Sequence, residues 1–213
     1  MTRFFMIRHG QSTANLEGLF AGQFDAPLTE LGIRQADCTA QFLAKQISAD
    51  AIYASPLKRA FRTAESTSQL CGLPVIPEPG LQEIFAGDWE GQSFSRLGEI
   101  NAQAYENWTT DIGNARCPHG EAVAELAQRV EQTLARLAEN HPDQTVLLFT
   151  HATPVRAMCW RASEKPLSHM QSIPWASNAS VTEFVFENGQ LTLQRFSLDA
   201  HLALLKTNLP ANV

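Results

Sequence analysis

Two histidines and two arginines stand where short apolar runs end, and their side chains suit a bound phosphate. Arg8-His9-Gly10 follows Phe4-Phe5-Met6-Ile7, and Thr150-His151-Ala152 follows Val146-Leu147-Leu148-Phe149. A third polar stretch, residues 55–62 with Arg59 and Arg62, comes after Ala51-Ile52-Tyr53. A guanidinium keeps its charge and grips two phosphate oxygens at once, while an imidazole can attack phosphorus or donate to its oxygens. Brought together, these groups suit phosphoryl transfer. Each alone is weak: Arg-His-Gly is a mere tripeptide, and one histidine at a strand end more often serves packing. Arg62, one helical turn from Arg59, reads equally as a second pocket cation or as a solvated residue on an exposed helix face.

A parallel sheet is the element that would bring them together, because open α/β sheets bind ligands beyond the carboxyl ends of their strands. The three apolar runs read as buried strands. Between them the pattern turns helical. Thr29 can cap a helix carrying Leu31, Ala36, Ala40, Phe42 and Leu43. Ser55-Pro56 opens a second helix, which Gly72 can close. Gly120-Glu121 leads into a third through Val123, Leu126, Ala127, Val130, Leu134 and Leu137, ending near Asn140-His141-Pro142, and Pro154 starts a fourth. Asn188-Gly189, between the apolar stretches 181–186 and 191–196, marks a β-hairpin. Residues 10–27 lack a steady period and read as a loop over a ligand, residues 74–89 as a short strand and an irregular segment, and residues 93–108 as weakly helical. The alternation predicts an α/β fold: a three-layer α/β/α sandwich around a mainly parallel sheet. One domain over 1–213 is expected, with about 90–120 as a cap insertion.

The order of the blocks resembles the histidine phosphatase superfamily, which is phosphoglycerate mutase-like. The blocks are Arg8-His9-Gly10-Gln11-Ser12 with Asn15; Pro27-Leu28-Thr29 with Gly32 and Gln35-Ala36; Ser55-Pro56-Leu57 with Arg59-Ala60 and Thr63-Ala64; Glu83 with Gly87, Trp89, Glu90 and Gly91; then Gly120-Glu121 and Thr150-His151. The resemblance implies that His9 is the nucleophile of a phosphohistidine enzyme, with Arg8, Arg59 and His151 around the phosphoryl oxygens. It implies that Asn15 helps hold the phosphate, assisted by backbone N–H groups near Gly22 and Ala152. Glu83 matches the proton donor, with a pKa raised by the neighbouring phosphate, whereas Glu90 matches a structural position. Glu121 is expected to bond backbone or an arginine at a helix start, and His119 is a candidate substrate contact. No metal or cofactor is required.

Two positions depart from the family. Leu19 and Ala21 stand where many relatives carry Arg and Gln, and Ala152 replaces the commoner glycine. The apolar loop is similar to that of α-ribazole phosphatases in the small-molecule phosphatase branch, which tilts the expected substrate toward a nucleoside-like or otherwise bulky phosphomonoester. Competing readings are a phosphoglycerate mutase-type isomerase, a non-catalytic phosphate-binding regulatory protein, and a phosphatase acting on phosphoproteins. A mutase would need basic residues for a second acidic group, yet between Trp89 and Gly120 only Arg96 and Arg116 are basic. The length of the cap favours small phosphorylated metabolites over proteins.

The net charge of -6 and pI near 5.5 argue against general affinity for nucleic acid or anionic membranes. An anionic substrate therefore needs a local cationic pocket. No signal peptide is recognised, and no apolar run reaches the ~18 residues of a membrane span, so a cytoplasmic location is expected. Cys38, Cys71, Cys117 and Cys159 are scattered and read as buried reduced thiols. His141, His169 and His201 show no ligand spacing and read as surface residues. The tail after His201 reads as a lid, an edge helix or a contact in a homo-oligomer.

Overall fold

The run Phe4-Phe5-Met6-Ile7 lies within β1 (Thr2–Arg8), and every one of its side chains is buried. In this computed structural model, which describes residues 1–207, the chain continues through α1 (Thr13–Glu17), β2 (Leu19–Phe20), α2 (Glu30–Gln46), β3 (Ala51–Ala54), α3 (Lys58–Cys71) and β4 (Val75–Pro77). The next segment holds β5 (Gln92–Ser93), α4 (Leu97–Ile100) and α5 (Ala102–Thr110). The chain then forms α6 (Val123–Asn140), β6 (Thr145–Thr150), α7 (Ala152–Ser163), β7 (Val181–Glu187) and β8 (Gln190–Leu198), and a 3-10 segment covers Ala200–Leu205.

Six strands form one sheet in the order β4-β3-β6-β1-β7-β8. The first four run parallel, and β7 runs antiparallel to both neighbours. Side chains along β1 alternate between the two faces. Phe4 and Met6 join a core with Leu126, Val130 and Met158 from α6 and α7, whereas Phe5 and Ile7 join another with Leu43 and Ala64 from α2 and α3. Burial on both faces explains why β1 and β6 are apolar throughout rather than alternating. The fold is the expected three-layer α/β sandwich with a mainly parallel sheet.

Register decides what meets at the sheet's carboxyl edge. Arg8 pairs with Thr150 and Ala54 with Phe149, so His9, His151 and Ser55 emerge side by side from three adjacent strands. Behind His9, two backbones pack without room for side chains: a Cβ on Gly32 would sit 2.0 Å from the Gln11 carbonyl oxygen, and one on Gly10 2.4 Å from that of Gly32. Gly32→Ala should therefore cost about 1–3 kcal/mol through overpacking, read as a lower urea midpoint with unchanged m.

Thr29 caps α2 by accepting the Gly32 N–H, and Gly72 closes α3 in a left-handed conformation, both as expected. Elsewhere the local reading needs correction. Residues 10–27 contain α1 and β2, which are too short to show a period. Ser12 and Asn15 cap α1 reciprocally, each side chain accepting the other's backbone N–H. The helix expected to open at Ser55-Pro56 begins at Lys58, after an extended Leu57, and the Lys58 N–H donates to Asp25 Oδ1 of another loop at 2.7 Å. Pro154 lies inside the first turn of α7, which starts two residues earlier.

Two histidines expected on the surface are partly buried and partnered. His141 Nε2 meets the Tyr53 hydroxyl at 2.9 Å, and His201 stacks on Phe42 with Nε2 on Thr39 Oγ1. His169 is also partly buried and meets Ser172. All four cysteines are free; Cys117 and Cys159 are buried, but Cys38 and Cys71 are only partly so. The described part of the tail packs on α2, where Cys38 Sγ bonds the His201 carbonyl and Gln35 Nε2 bonds that of Leu205. Residues 208–213 lie outside the described residues. No described helix is long and apolar enough to cross a membrane.

Candidate active site

Beyond the ends of β1, β3 and β6 lies a pocket that opens to solvent. Arg8, His9, Asn15, Gly22, Arg59 and Glu83 line one part of it, with Ala152 and Thr153 from the start of α7 beside them. His151 is fully buried next to His9, the two rings meeting edge to face with centroids 5.1 Å apart. The convergence anticipated from three strand ends is thus present.

Two independent contacts define the tautomer of His9. Its Nδ1 lies 2.7 Å from the Gly10 carbonyl oxygen, which can only accept, so Nδ1 carries the proton. Nε2 accepts from Arg59 Nε–H at 3.3 Å and so bears a lone pair. Burial, followed by the charges of Arg59 and Arg8, holds the ring's pKa well below the ordinary histidine range, which keeps Nε2 unprotonated at neutral pH. The backbone is fixed as well: His9 N–H donates to Thr150 O, and His9 O accepts from Ala179 N–H and Asn178 Nδ2.

Arg59 is spread over three acceptors, the other two being the Gly22 and Phe24 carbonyls at 2.6 and 2.9 Å. Those bonds tie α3 to the loop above the pocket. Glu90 secures the same loop by accepting from the N–H groups of Gln23, Phe24 and Ala86, the structural role expected of it. Arg8 donates to Ala176 O at 2.6 Å, and burial brings its pKa down to about 10, still cationic at neutral pH. Its Nε has no partner among the described residues.

Asn15 Oδ1 accepts from Ser12 N–H and Asn178 Nδ2–H, at 3.1 and 3.2 Å. Because both contacts are donors, the amide is oriented with its Nδ2 free for an anion in the cavity. His151 is oriented by Ser55. Its Nε2 lies 2.8 Å from Ser55 Oγ, which also accepts the Leu57 N–H. With the hydroxyl donating to Nε2, the proton of neutral His151 sits on Nδ1, which has no partner among the described residues. Burial, then Arg59 and His9, lowers this histidine's pKa too. Ser55→Ala should leave the tautomer unspecified, lowering kcat about tenfold and stability by about 1–2 kcal/mol, measured by steady-state kinetics and urea unfolding.

Glu83 is 8% exposed, and its burial raises the carboxyl's pKa against opposing hydrogen bonds and the charge of Arg59. Oε1 accepts from Ile84 N–H at 2.9 Å and Oε2 from Thr153 N–H at 3.4 Å. Arg129 braces this segment by bonding the Gly80 and Gln82 carbonyls while paired with Glu121, which confirms that Glu121 meets both an arginine and backbone. The pocket therefore combines an unprotonated imidazole nitrogen, two cations, oriented donors and a carboxyl poised to hold a proton.

Two other candidates lie elsewhere. His119 is on the surface, in a left-handed backbone conformation with φ 52°, its side chain 86% exposed and bonded to Asp88. Arg62 is exposed and pairs with Glu65, as a solvated helix residue. Three residues that the sequence did not single out as site residues act on the site: Ser55, Thr153 and Asn178. Ser55 sits within a recognised block, but Asn178 contacts His9 across a separation of 169 residues, for which no local signal exists. Phe94, Trp108 and Trp175 supply aromatic walls that also went unread.

Residues 4–199 match the family described as the Histidine phosphatase superfamily (branch 1). The adenosylcobalamin/alpha-ribazole phosphatase of Escherichia coli is 38% identical over 149 residues, covering 70% of this chain and 73% of that protein. Phosphoserine phosphatase 1 of Hydrogenobacter thermophilus is 30% identical, covering 95% of each chain. Among solved structures, YhfR of Bacillus stearothermophilus superposes with a TM-score of 0.89 at 27% identity, covering 95% of this chain and 100% of that one.

Proposed function

The chain belongs to the histidine phosphatase superfamily, and from that membership we propose that it hydrolyses small phosphomonoesters through a phosphohistidine on His9. Its phosphatase relatives indicate a hydrolase; the mechanism and the roles below are our reading. The observation that carries it is the His9 ring, held by Gly10 O so that an unprotonated Nε2 faces the cavity shared with Arg8, Arg59 and Glu83.

Nε2 attacks phosphorus in line with the ester oxygen, forming an N–P bond as the P–O bond breaks. The charge on the transferring group is met by Arg8 and Arg59, by the Nδ1–H of His151 and by the Asn15 amide. Backbone N–H groups at Gly22 and Ala152 add donors. Glu83, whose protonated form burial favours by raising its pKa, gives its proton to the leaving alkoxide. As a carboxylate it then takes a proton from the water that attacks the phosphohistidine, which restores both groups and releases inorganic phosphate. Residues of the chain supply every charge the scheme needs, so no metal is invoked.

The test is a screen with EDTA present against sugar phosphates, nucleotides, phosphoglycerates and α-ribazole phosphate. Phosphate release that EDTA does not alter supports the reading. Isomerisation of phosphoglycerate without release would assign a mutase instead, and release abolished by EDTA and restored by a divalent metal would refute metal independence.

A further inference from the structure

Beyond the phosphate end, the cavity changes character. Its remaining walls are Leu19, Phe20 and Ala21 from the loop, Phe94 and Trp108 from the segment holding β5 and α5, and Trp175. Trp175 is packed against two neighbours: the Arg156 guanidinium lies 4.2 Å from its ring centroid, and Trp108 lies near-parallel at 24° with centroids 6.3 Å apart. Arg156 is itself buried and donates to the Met170 and Gln171 carbonyls, so it clamps the indole rather than reaching a ligand.

Among the described residues, the cations that line the cavity are Arg8 and Arg59; Arg156 packs on Trp175 without lining it. Arg96 is exposed and pairs with Glu99, and Arg116 bonds Glu125 and the Gly120 carbonyl. Both are thus engaged elsewhere, and the pocket's two lining cations, Arg8 and Arg59, stand with His9 at the phosphate end. A carboxylate or second phosphate on the leaving group would be desolvated against hydrocarbon without a counter-charge. A flat apolar group would bury its surface against indole and phenyl rings that are already ordered, at little entropic cost.

We propose that the leaving group of the substrate is uncharged, flat and apolar, selected by the Trp108–Trp175 wall with Trp175 as the specificity-determining residue. This rests on the phosphatase reading above. It sets the pocket apart from one fitted to phosphoserine or phosphoglycerate, although relatives of the chain include a phosphoserine phosphatase.

Two measurements test it. The first compares kcat/KM for 2-phenylethyl phosphate, ethyl phosphate and 3-phosphoglycerate, all esters of aliphatic alcohols. The phenylethyl ester should exceed 3-phosphoglycerate by roughly 30-fold or more. Trp175→Ala should lower it about tenfold, mainly through KM, with ethyl phosphate changed by less than about twofold and Trp175→Phe restoring much of the loss. The second compares binding of 2-phenylethylphosphonate and 3-phosphonopropionate by calorimetry, which reads the wall without turnover. Equal or better use of 3-phosphoglycerate, equal phosphonate affinities, or equal losses on both alkyl esters in Trp175→Ala would overturn the proposal. Absence of phosphate release from every ester, with the phosphonate preference intact, would remove the phosphatase reading and leave the wall's selectivity standing.

Discussion

The His9→Ala protein is expected to release phosphate at least about 10^4-fold more slowly than the parent and to trap no label from a radioactive phosphomonoester. The parent, quenched in alkali during turnover, should carry one acid-labile phosphate on His9. The size of the effect follows from the loss of the attacking atom itself, since among the described residues His9 supplies the imidazole nitrogen that lines the cavity. His151 is the nearest imidazole, but its Nε2 is occupied by Ser55. Unfolding is a separable cause, because the mutant should still bind vanadate or phosphate through Arg8, Arg59 and Asn15. A mutant with unchanged turnover, or a label found on another residue, would dismiss His9 as the nucleophile.

Glu83→Gln should lose about 10^2- to 10^4-fold in the first turnover of alkyl esters and little in the release of p-nitrophenolate, which hardly needs a proton. The pH dependence has a definite sign. Glu83 acts as an acid only when protonated, and burial raises its pKa, so the useful form persists to higher pH than for an exposed glutamate. First-turnover rates for alkyl esters should therefore fall as pH rises through that raised value. The limb should vanish in Glu83→Gln, whose amide cannot ionise. Equal losses for both kinds of leaving group would exclude Glu83 as the acid.

Much of this architecture follows from local pattern. Strands buried on both faces announce themselves as unbroken apolar runs, α2 and α6 repeat with the helical period, and Asn188-Gly189 turns the hairpin; each signal lies within a few residues. The polar residues after those runs, Arg8, His9, Arg59 and His151, could be picked out for the same reason, and their order together with Glu83 carried the resemblance. Elements without a period did not show: α1 spans five residues, and the cap of α3 comes from Asp25, 33 residues away. His141 and His201 looked like surface residues because nothing nearby in the chain reveals Tyr53 or Phe42.

Which chemistry-bearing residues the chain carries, and which strands deliver them, can be read along the chain. Their states and limits come from the folded molecule: which nitrogen of His9 is free, that Ser55 meets His151, how burial moves the Glu83 carboxyl, and that His119 stays outside. These properties are sums over neighbours distant in the chain. Ser55 and His151 are 96 residues apart and Asn178 and Asn15 are 163, and desolvation depends on every element packed around a group. Pattern within a window cannot encode them, because the strand register that brings such residues together is set by the whole sheet.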